Sequence, residues 1–330
     1  MSYLFSFGNI FKVTIFGASH EECCGVLIDG VKPGLKLCEE DFLPALARRK
    51  PGSFGTPRIE TDAPEIINGL YKGYTNGNPL FIMFKNTNTR SSDYEKLVNH
   101  PRPSHADLVA QVKYKGFNDP RGGGAFSGRL TLGLVAAGVV AKKLYNLDIN
   151  SEITSLGCET DKAKFKDLLD KVKEEKDSLG GIIKILIKNP PIGLGEPYFD
   201  STESMLSHAL FSVGAVKGVS FGAGFDGTKL KGSEFNDLII DKFGHTSTNN
   251  NGGINGGITN GNDIVINVAV KPTPSIGKTQ MTYNFKEDKV CPLVIGGRHD
   301  VAIILRMGVV LESVCQIVMT DLYLRKKALD

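Results

Sequence analysis

Residues 129–145 (RLTLGLVAAGVVAKKLY) constrain the fold more than any other stretch of the chain. Their apolar side chains run around the whole circumference of a helix and surround four small residues, Gly133, Ala136, Ala137 and Gly138. A helix without a polar face is stable only when other elements cover it on every side. A bilayer is not that cover, because Lys142 and Lys143 end the run short of the roughly 20 apolar residues a span needs. The segment 308–325 also reads as a mostly apolar helix, with Arg306 and Glu312 breaking any candidate span. The pattern therefore predicts a helix packed closely on all sides within a protein, and no membrane role.

The remaining periodicities are mixed. Strands are predicted at 11–16 (FKVTIF), 25–31, 79–85, 181–188 (GIIKILIK), 215–222 and 263–270. Helices are predicted at 39–49 despite Pro44, at 105–114, at 161–176 with one charged face, and at 204–211. No low-complexity linker or internal repeat divides the 330 residues, so one domain spanning 1–330 is expected. The net charge of +3 gives no support to a nucleic-acid or membrane-surface partner, so any positive field must be local. Six cysteines without a C-x-x-C pair predict reduced thiols and no metal site. No apolar run follows a basic start, so a cytoplasmic location is expected.

The unusual chemistry is concentrated in loops. P-R-G-G-G-A-F-S-G-R (120–129) puts glycines and two arginines at the entrance of the long helix. Glycine lets backbone N–H groups approach an anion, and a helix N-terminus favours negative charge. Taken alone, the stretch reads equally well as a flexible loop with solvated arginines. It has neither P-loop nor dinucleotide-fold spacing. His20 in G-A-S-H, His105 in R-P-S-H-A-D and His299 in G-R-H-D each sit beside a glycine or proline turn and a second polar group. Three such settings, with Arg102 and Arg298 adjacent, point to acid–base work near an anionic ligand. His100, His208 and His245 lack that company and read as structural. G-G-I-N-G-G-I-T-N-G (252–261) reads as tight turns around a hairpin or as a loop that hugs a cofactor, and R-R-K-P-G (48–52) as a basic helix end.

In this order, the segments F-G-A-S-H, R-R-K-P-G, N-T-N-T-R-S-S-D-Y, R-P-S-H-A-D, K-Y-K-G-F-N-D-P-R-G-G-G, A-V-K-G-V, G-G-I-N-G-G-I, K-P-T-P-S-I and G-R-H-D resemble the chorismate synthase family nearly end to end. The resemblance implies an α+β fold, a β-α-β sandwich with helices between antiparallel sheets, assembled as a homotetramer. It implies 1,4-anti elimination of phosphate from 5-enolpyruvylshikimate 3-phosphate to give chorismate, with reduced FMN as cofactor and no net redox change. Electron-rich reduced flavin is expected to assist C–O cleavage. Some family members reduce FMN with NADPH; with no separate nicotinamide motif here, dependence on an external reductant is expected.

The resemblance also implies roles. His20 is expected near the leaving phosphate, His105 near the flavin as a proton donor or stabiliser, and Asp300 near the flavin edge, helping to remove the C6 proton. Arg49, Arg102, Ser127 and Arg129 are expected to bind substrate. Ala125, Phe126, Ser127, Gly214, Ala215, Gly256, Lys271, Pro272, Thr273, Pro274, Ser275 and Arg298 are expected to form the FMN site. The chain departs from the family pattern in four places. G-E-S-H-G is G-A-S-H-E here, and the turn after R-R-K-P-G is about two residues short, with Phe54 or Gly55 in place of an arginine. Ala125 stands where many relatives carry Arg or His, and Val301-Ala302 replaces Pro-Cys. These departures motivate an alternative expectation, a catalytically degenerate homologue that binds flavin or an anion.

Overall fold

The protein is described by a computed structural model covering residues 5–55, 61–87, 95–296 and 299–330. Apolar strands joined by glycine turns build the first sheet: β1 (Ser6–Phe7), β2 (Lys12–Gly17), β3 (Cys23–Asp29), β4 (Glu65–Asn68) and β5 (Leu80–Lys85). Their spatial order is β1-β2-β3-β5-β4, and every neighbouring pair is antiparallel. The second sheet contains β6 (Asp148–Leu156), β7 (Gly181–Lys188), β8 (Val216–Phe221) and β9 (Ile264–Val270). It is also antiparallel, in the order β8-β9-β7-β6. The alternation predicted for 181–188 holds: Ile183, Ile185 and Ile187 turn inward and are fully buried.

The longer helices that accompany the sheets are α1 (Leu43–Arg49), α2 (Asp107–Lys113), α3 (Thr131–Leu144), α4 (Phe165–Glu174), α5 (Thr202–Ser212) and α6 (Gly308–Leu329). The all-round apolar helix, α3, packs on β3 with one face and on α6 with another, while α6 packs on β6 and β7. The layers are thus sheet, paired helices, sheet, an α+β sandwich as expected. Small residues permit the close approach. A Cβ on Gly133 would lie 2.8 Å from the Gly25 carbonyl oxygen, and one on Gly138 would overlap Ser313 of α6. No helix among the described residues is long and apolar enough to cross a membrane.

Buried charges on α6 fasten the ends of the chain to this core. Asp321, fully buried, accepts hydrogen bonds from the backbone N–H groups of Ile10 and Phe11 at 2.7 and 2.9 Å. Glu312 accepts a bidentate pair from Arg48 at 2.6 and 2.7 Å and a third bond from the Ser151 hydroxyl at 2.6 Å. Buried carboxylates satisfied in this way orient an element without leaving an orphan charge.

Three boundaries differ from the sequence reading. Pro44 is tolerated because α1 starts at Leu43, after a 3-10 turn (Glu39–Phe42), where a missing N–H costs nothing. Strand β6 carries no clean alternation in DINSEITSL and was not predicted; its pairing with β7 makes it a strand. The glycines of 120–129 do not open α3. They form a separate turn, Arg121–Phe126, in which Gly122, Gly123 and Gly124 all have positive φ, and α3 begins only at Thr131.

Candidate active site

Arg48 and Arg49 end α1 and separate. Arg48 turns to Glu312, whereas Arg49 turns to the glycine-rich segment and is only 5% exposed. Its Nε donates to the Thr131 hydroxyl at 2.8 Å and its Nη2 to the Gly128 carbonyl at 2.8 Å, while Nη1 lies 3.6 Å from Asp62 Oδ2. Arg129, also buried, donates from Nη1 to Asp62 Oδ1 at 2.9 Å and from Nη2 to the Lys85 carbonyl at 3.0 Å. Its Nε donates to Asn86 Oδ1. Two buried arginines therefore share a single carboxylate, Asp62, which is itself buried. Burial, and then the nearby charges of Arg306 and Arg129, pull the Arg49 guanidinium down to about 10, with Asp62 opposing them. It remains protonated at neutral pH. Beside it, burial pushes the Cys24 thiol up to about 11, so this cysteine is a neutral core residue rather than a nucleophile.

Asn86 links this cluster to the G-A-S-H loop, since its amide donates to the carbonyls of Ala18 and Glu21 at 2.9 and 2.7 Å. His20, buried on that loop, lies against the glycine turn. A Cβ on Gly122 would come within 2.6 Å of the His20 ring and 2.7 Å of the Ser19 hydroxyl. The next residue touches the other histidine: a Cβ on Gly123 would lie 3.9 Å from His105 Nε2. Ser19 N–H donates to the Gly124 carbonyl at 3.3 Å. Consecutive glycines, held in a backbone conformation that other residues adopt at a cost, thus seat two histidines from distant segments.

His105 belongs to a second cluster. Asp107, on the first turn of α2, accepts from Arg102 Nε and Nη2 at 2.8 and 2.7 Å and lies 2.6 Å from His105 Nδ1. The carboxylate draws the ring proton to Nδ1 and leaves Nε2 on the glycine side. Burial would raise the Asp107 carboxyl, but hydrogen bonds from Arg102 and His105 outweigh it and hold the group well below the usual carboxylate range. Arg102 Nη1 also donates to the Ser275 hydroxyl at 2.9 Å, and Lys271 Nζ donates to the Ser104 carbonyl at 2.8 Å. The K-P-T-P-S segment is thereby tied to the R-P-S-H turn. Lys271 N–H donates to the Ala215 carbonyl at 2.9 Å, which brings in the A-V-K-G-V loop, where Ala215 has φ +77°. Ala125 and Phe126 are exposed, and Phe126 lines a cleft of about 90 Å³ with His105, Asp107 and Gly123.

Asp300 is ion-paired with Arg306 at 2.6 Å, and Arg306 lies close enough to Arg49 to lower its proton affinity. Ser127 accepts from the Arg129 N–H at 3.3 Å. Gly256 turns the small hairpin between Ile254–Asn255 and Ile258–Thr259, with nothing within 4 Å of its would-be Cβ. Arg298 lies outside the described residues, as do 88–94 of N-T-N-T-R-S-S-D-Y.

A family model described as chorismate synthase matches residues 11–324. The chain belongs to the chorismate synthase family. The chorismate synthase of Chitinophaga pinensis is 51% identical over 97% of this chain and 96% of its own length. That of Pyrococcus abyssi is 41% identical over 95% of this chain and 96% of its own length. A crystal structure of chorismate synthase superposes with a TM-score of 0.74 at 26% identity, covering 97% of this chain and 93% of that one. The chain is thus a carbon–oxygen lyase of aromatic biosynthesis acting on a small-molecule substrate, and nothing in these comparisons supports a degenerate homologue.

For a chorismate synthase, sequence reasoning named most of the charged groups but missed Asp62, Asn86, Asp107 and Arg306. Asp107 was legible, being the last residue of R-P-S-H-A-D. Asp62 stands alone in E-T-D-A-P and has no local signal. The other predicted structural histidines are accounted for: His245 pairs with Asp241 at 2.6 Å, His208 packs edge-on against Phe7, and His100 approaches the Thr282 carbonyl.

Proposed function

We propose that this chain eliminates phosphate from 5-enolpyruvylshikimate 3-phosphate at a site built on the Asp62 and Asp107 clusters, with FMN bound alongside. The observation that carries the reading is the convergence of buried arginines on the glycine turn that seats two histidines. Arg49 and Arg129 meet at Asp62 beside the loop of His20, Arg102 holds the turn of His105, and the substrate brings a phosphate and two carboxylates for such groups to bind. Arg49, Arg129, Arg102 and Ser127 bind and orient those groups. His20 stabilises the leaving phosphate and supplies a proton to it. His105, with Nε2 turned to the glycine side, faces the neighbouring cofactor and stabilises its reduced form. Asp300 accepts the C6 proton. In the balance of the step, the C6–H bond breaks with its proton moving to the carboxylate and its pair forming C1=C6, the C1=C2 pair shifts to C2=C3, and the C3–O bond breaks with its pair leaving on phosphate.

The residues present suit FMN. Among the described residues the buried Thr273 hydroxyl has no hydrogen-bond partner, and Gly214 and Gly256 have open space where a side chain would stand. Ala125, Phe126, Ser127, Gly214, Ala215, Gly256, Lys271, Pro272, Thr273, Pro274, Ser275 and Arg298 would hold it. When bound in reduced form, the flavin supplies an electron-rich ring that assists C–O cleavage. Reduced flavin comes from outside the chain rather than from NADPH turnover here. The chain works as one domain, as a homotetramer, in the cytoplasm. The reading is supported by one continuous core running from Phe11 to Leu322.

The test is anaerobic turnover with chemically reduced FMN and 5-enolpyruvylshikimate 3-phosphate, following chorismate absorbance and phosphate release. Equal amounts of both products are expected. FMN binding without either product would overturn the reading.

A further inference from the structure

We infer that Arg306 is a positioning residue for Asp300, a role that rests on the proposed function of that carboxylate. Arg306 ends the 3-10 turn Ile303–Arg306, just before α6. That turn is firmly held. Ile304 is fully buried, the Val301 N–H donates to the Phe54 carbonyl at 3.1 Å, and the Leu179 N–H donates to the Val301 carbonyl at 2.8 Å. From this base Arg306 Nη2 donates to Asp300 Oδ2 at 2.6 Å, a short charge-assisted bond. The other carboxylate oxygen lies on the side of Gly55, where an added Cβ would come within 3.3 Å of Oδ1. Asp300 is thus held on one oxygen by the guanidinium, while its other oxygen faces a glycine turn that leaves it room.

Two further observations separate this pair from an ordinary structural ion pair. Arg306 sits in the field of Arg49 and so belongs to the same cationic group as the anion-binding cluster. Among the described residues its Nε is buried with no hydrogen-bond partner, so the side chain forgoes one of its donors in order to hold the geometry it has. A residue retained only for stability would be expected to satisfy that donor. A carboxylate that must take a proton from carbon needs a fixed direction of approach, and Arg306 provides it.

The experiment compares Arg306→Gln, Arg306→Lys, Asp300→Asn and the Arg306→Gln/Asp300→Asn double variant, all as full chains with reduced FMN. Thermal melting and FMN binding check folding. For Arg306→Gln, kcat is expected to fall about 10- to 100-fold, below the ~10²–10⁴ that loss of an acid–base group costs. The substrate KM should stay within about threefold, and the kinetic isotope effect with C6-deuterated substrate should rise as proton removal becomes slower. Arg306→Lys should recover part of kcat. In the Asp300→Asn background, Arg306→Gln should add nothing. A raised KM with unchanged kcat would make Arg306 a substrate contact instead. Unchanged kcat, or a fall with an unmoved isotope effect and full additivity, would leave it purely structural. Either result overturns the inference alone, provided Asp300→Asn falls to a low but measurable rate. Full turnover in Asp300→Asn would remove the reading of Asp300, and this inference with it.

Discussion

The Asp62 and Asp107 clusters use the same residue types for different ends. Around Asp62, Arg49 and Arg129 arrive from two distant segments at one buried carboxylate and also donate to the Gly128 and Lys85 carbonyls. Around Asp107, Arg102 and the His105 Nδ1 meet one carboxylate at 2.6–2.8 Å. The first arrangement gathers cationic side chains beside the glycine turn; the second orients a histidine ring. What each arginine meets, more than the presence of arginine, separates a binding cluster from a positioning one.

The sharpest way to test the division is to remove the proton-handling groups. His105→Ala and Asp300→Ala should each cut kcat by about 10²–10⁴ while the fold stays intact, checked by steady-state turnover and circular dichroism. Normal turnover in either would dissolve its assigned role. Next in size is the shared carboxylate of the first cluster. Asp62→Ala removes the buried group on which Arg49 and Arg129 converge and should cost about 3–5 kcal/mol in urea unfolding. Inorganic phosphate should recover part of that loss by standing in for the carboxylate; an equal loss with and without phosphate would sink the anion-binding interpretation. The glycine turn that joins the two clusters comes third. Gly122→Ala forces a side chain against His20 from a positive φ, so turnover should fall about tenfold and stability by about 1–3 kcal/mol.

Acid stability probes the balanced cluster. Because the Asp107 carboxyl is depressed by its partners in the folded state, its contribution is fully present above the unfolded carboxylate range, near pH ~4. It is lost as pH falls from there toward the lower folded value. Asp107→Asn should therefore flatten the stability curve below about pH 4 and leave its slope at neutral pH unchanged, as followed by thermal melts across pH. The smallest expected effect is that of salt. Raising ionic strength should increase the substrate KM only a few-fold, since buried arginines are screened weakly. No change at all would argue against arginine-led substrate capture.

Much of the fold was legible. Period-two alternation in GIIKILIK and the all-round apolar helix each announce how they are buried, because burial of a strand or helix face is written in its own neighbours. Strand β6 was not legible, since its apolar residues follow no strand period and its state is decided by pairing with β7. The loop motifs marked His20, His105, Arg102 and Arg129 as candidates, because glycine, proline and polar residues cluster where backbone must bend around a ligand, whereas Arg49 and Asp300 were named through the family resemblance. Asp62 and Arg306 left no such trace.

The sequence by itself determined the layers, the family and the identity of the chemical groups, all of which follow from local periodicity or from ordered motifs. It could not determine that Arg48 serves the core and Arg49 the site, though the two are adjacent in R-R-K-P-G. Only the tertiary structure decided that, by setting Glu312 on one side of α1 and Asp62 with the Gly128 carbonyl on the other. The physical reason is that a charge is assigned its role by the partners within a few ångströms, and those partners lie tens to hundreds of residues away along the chain.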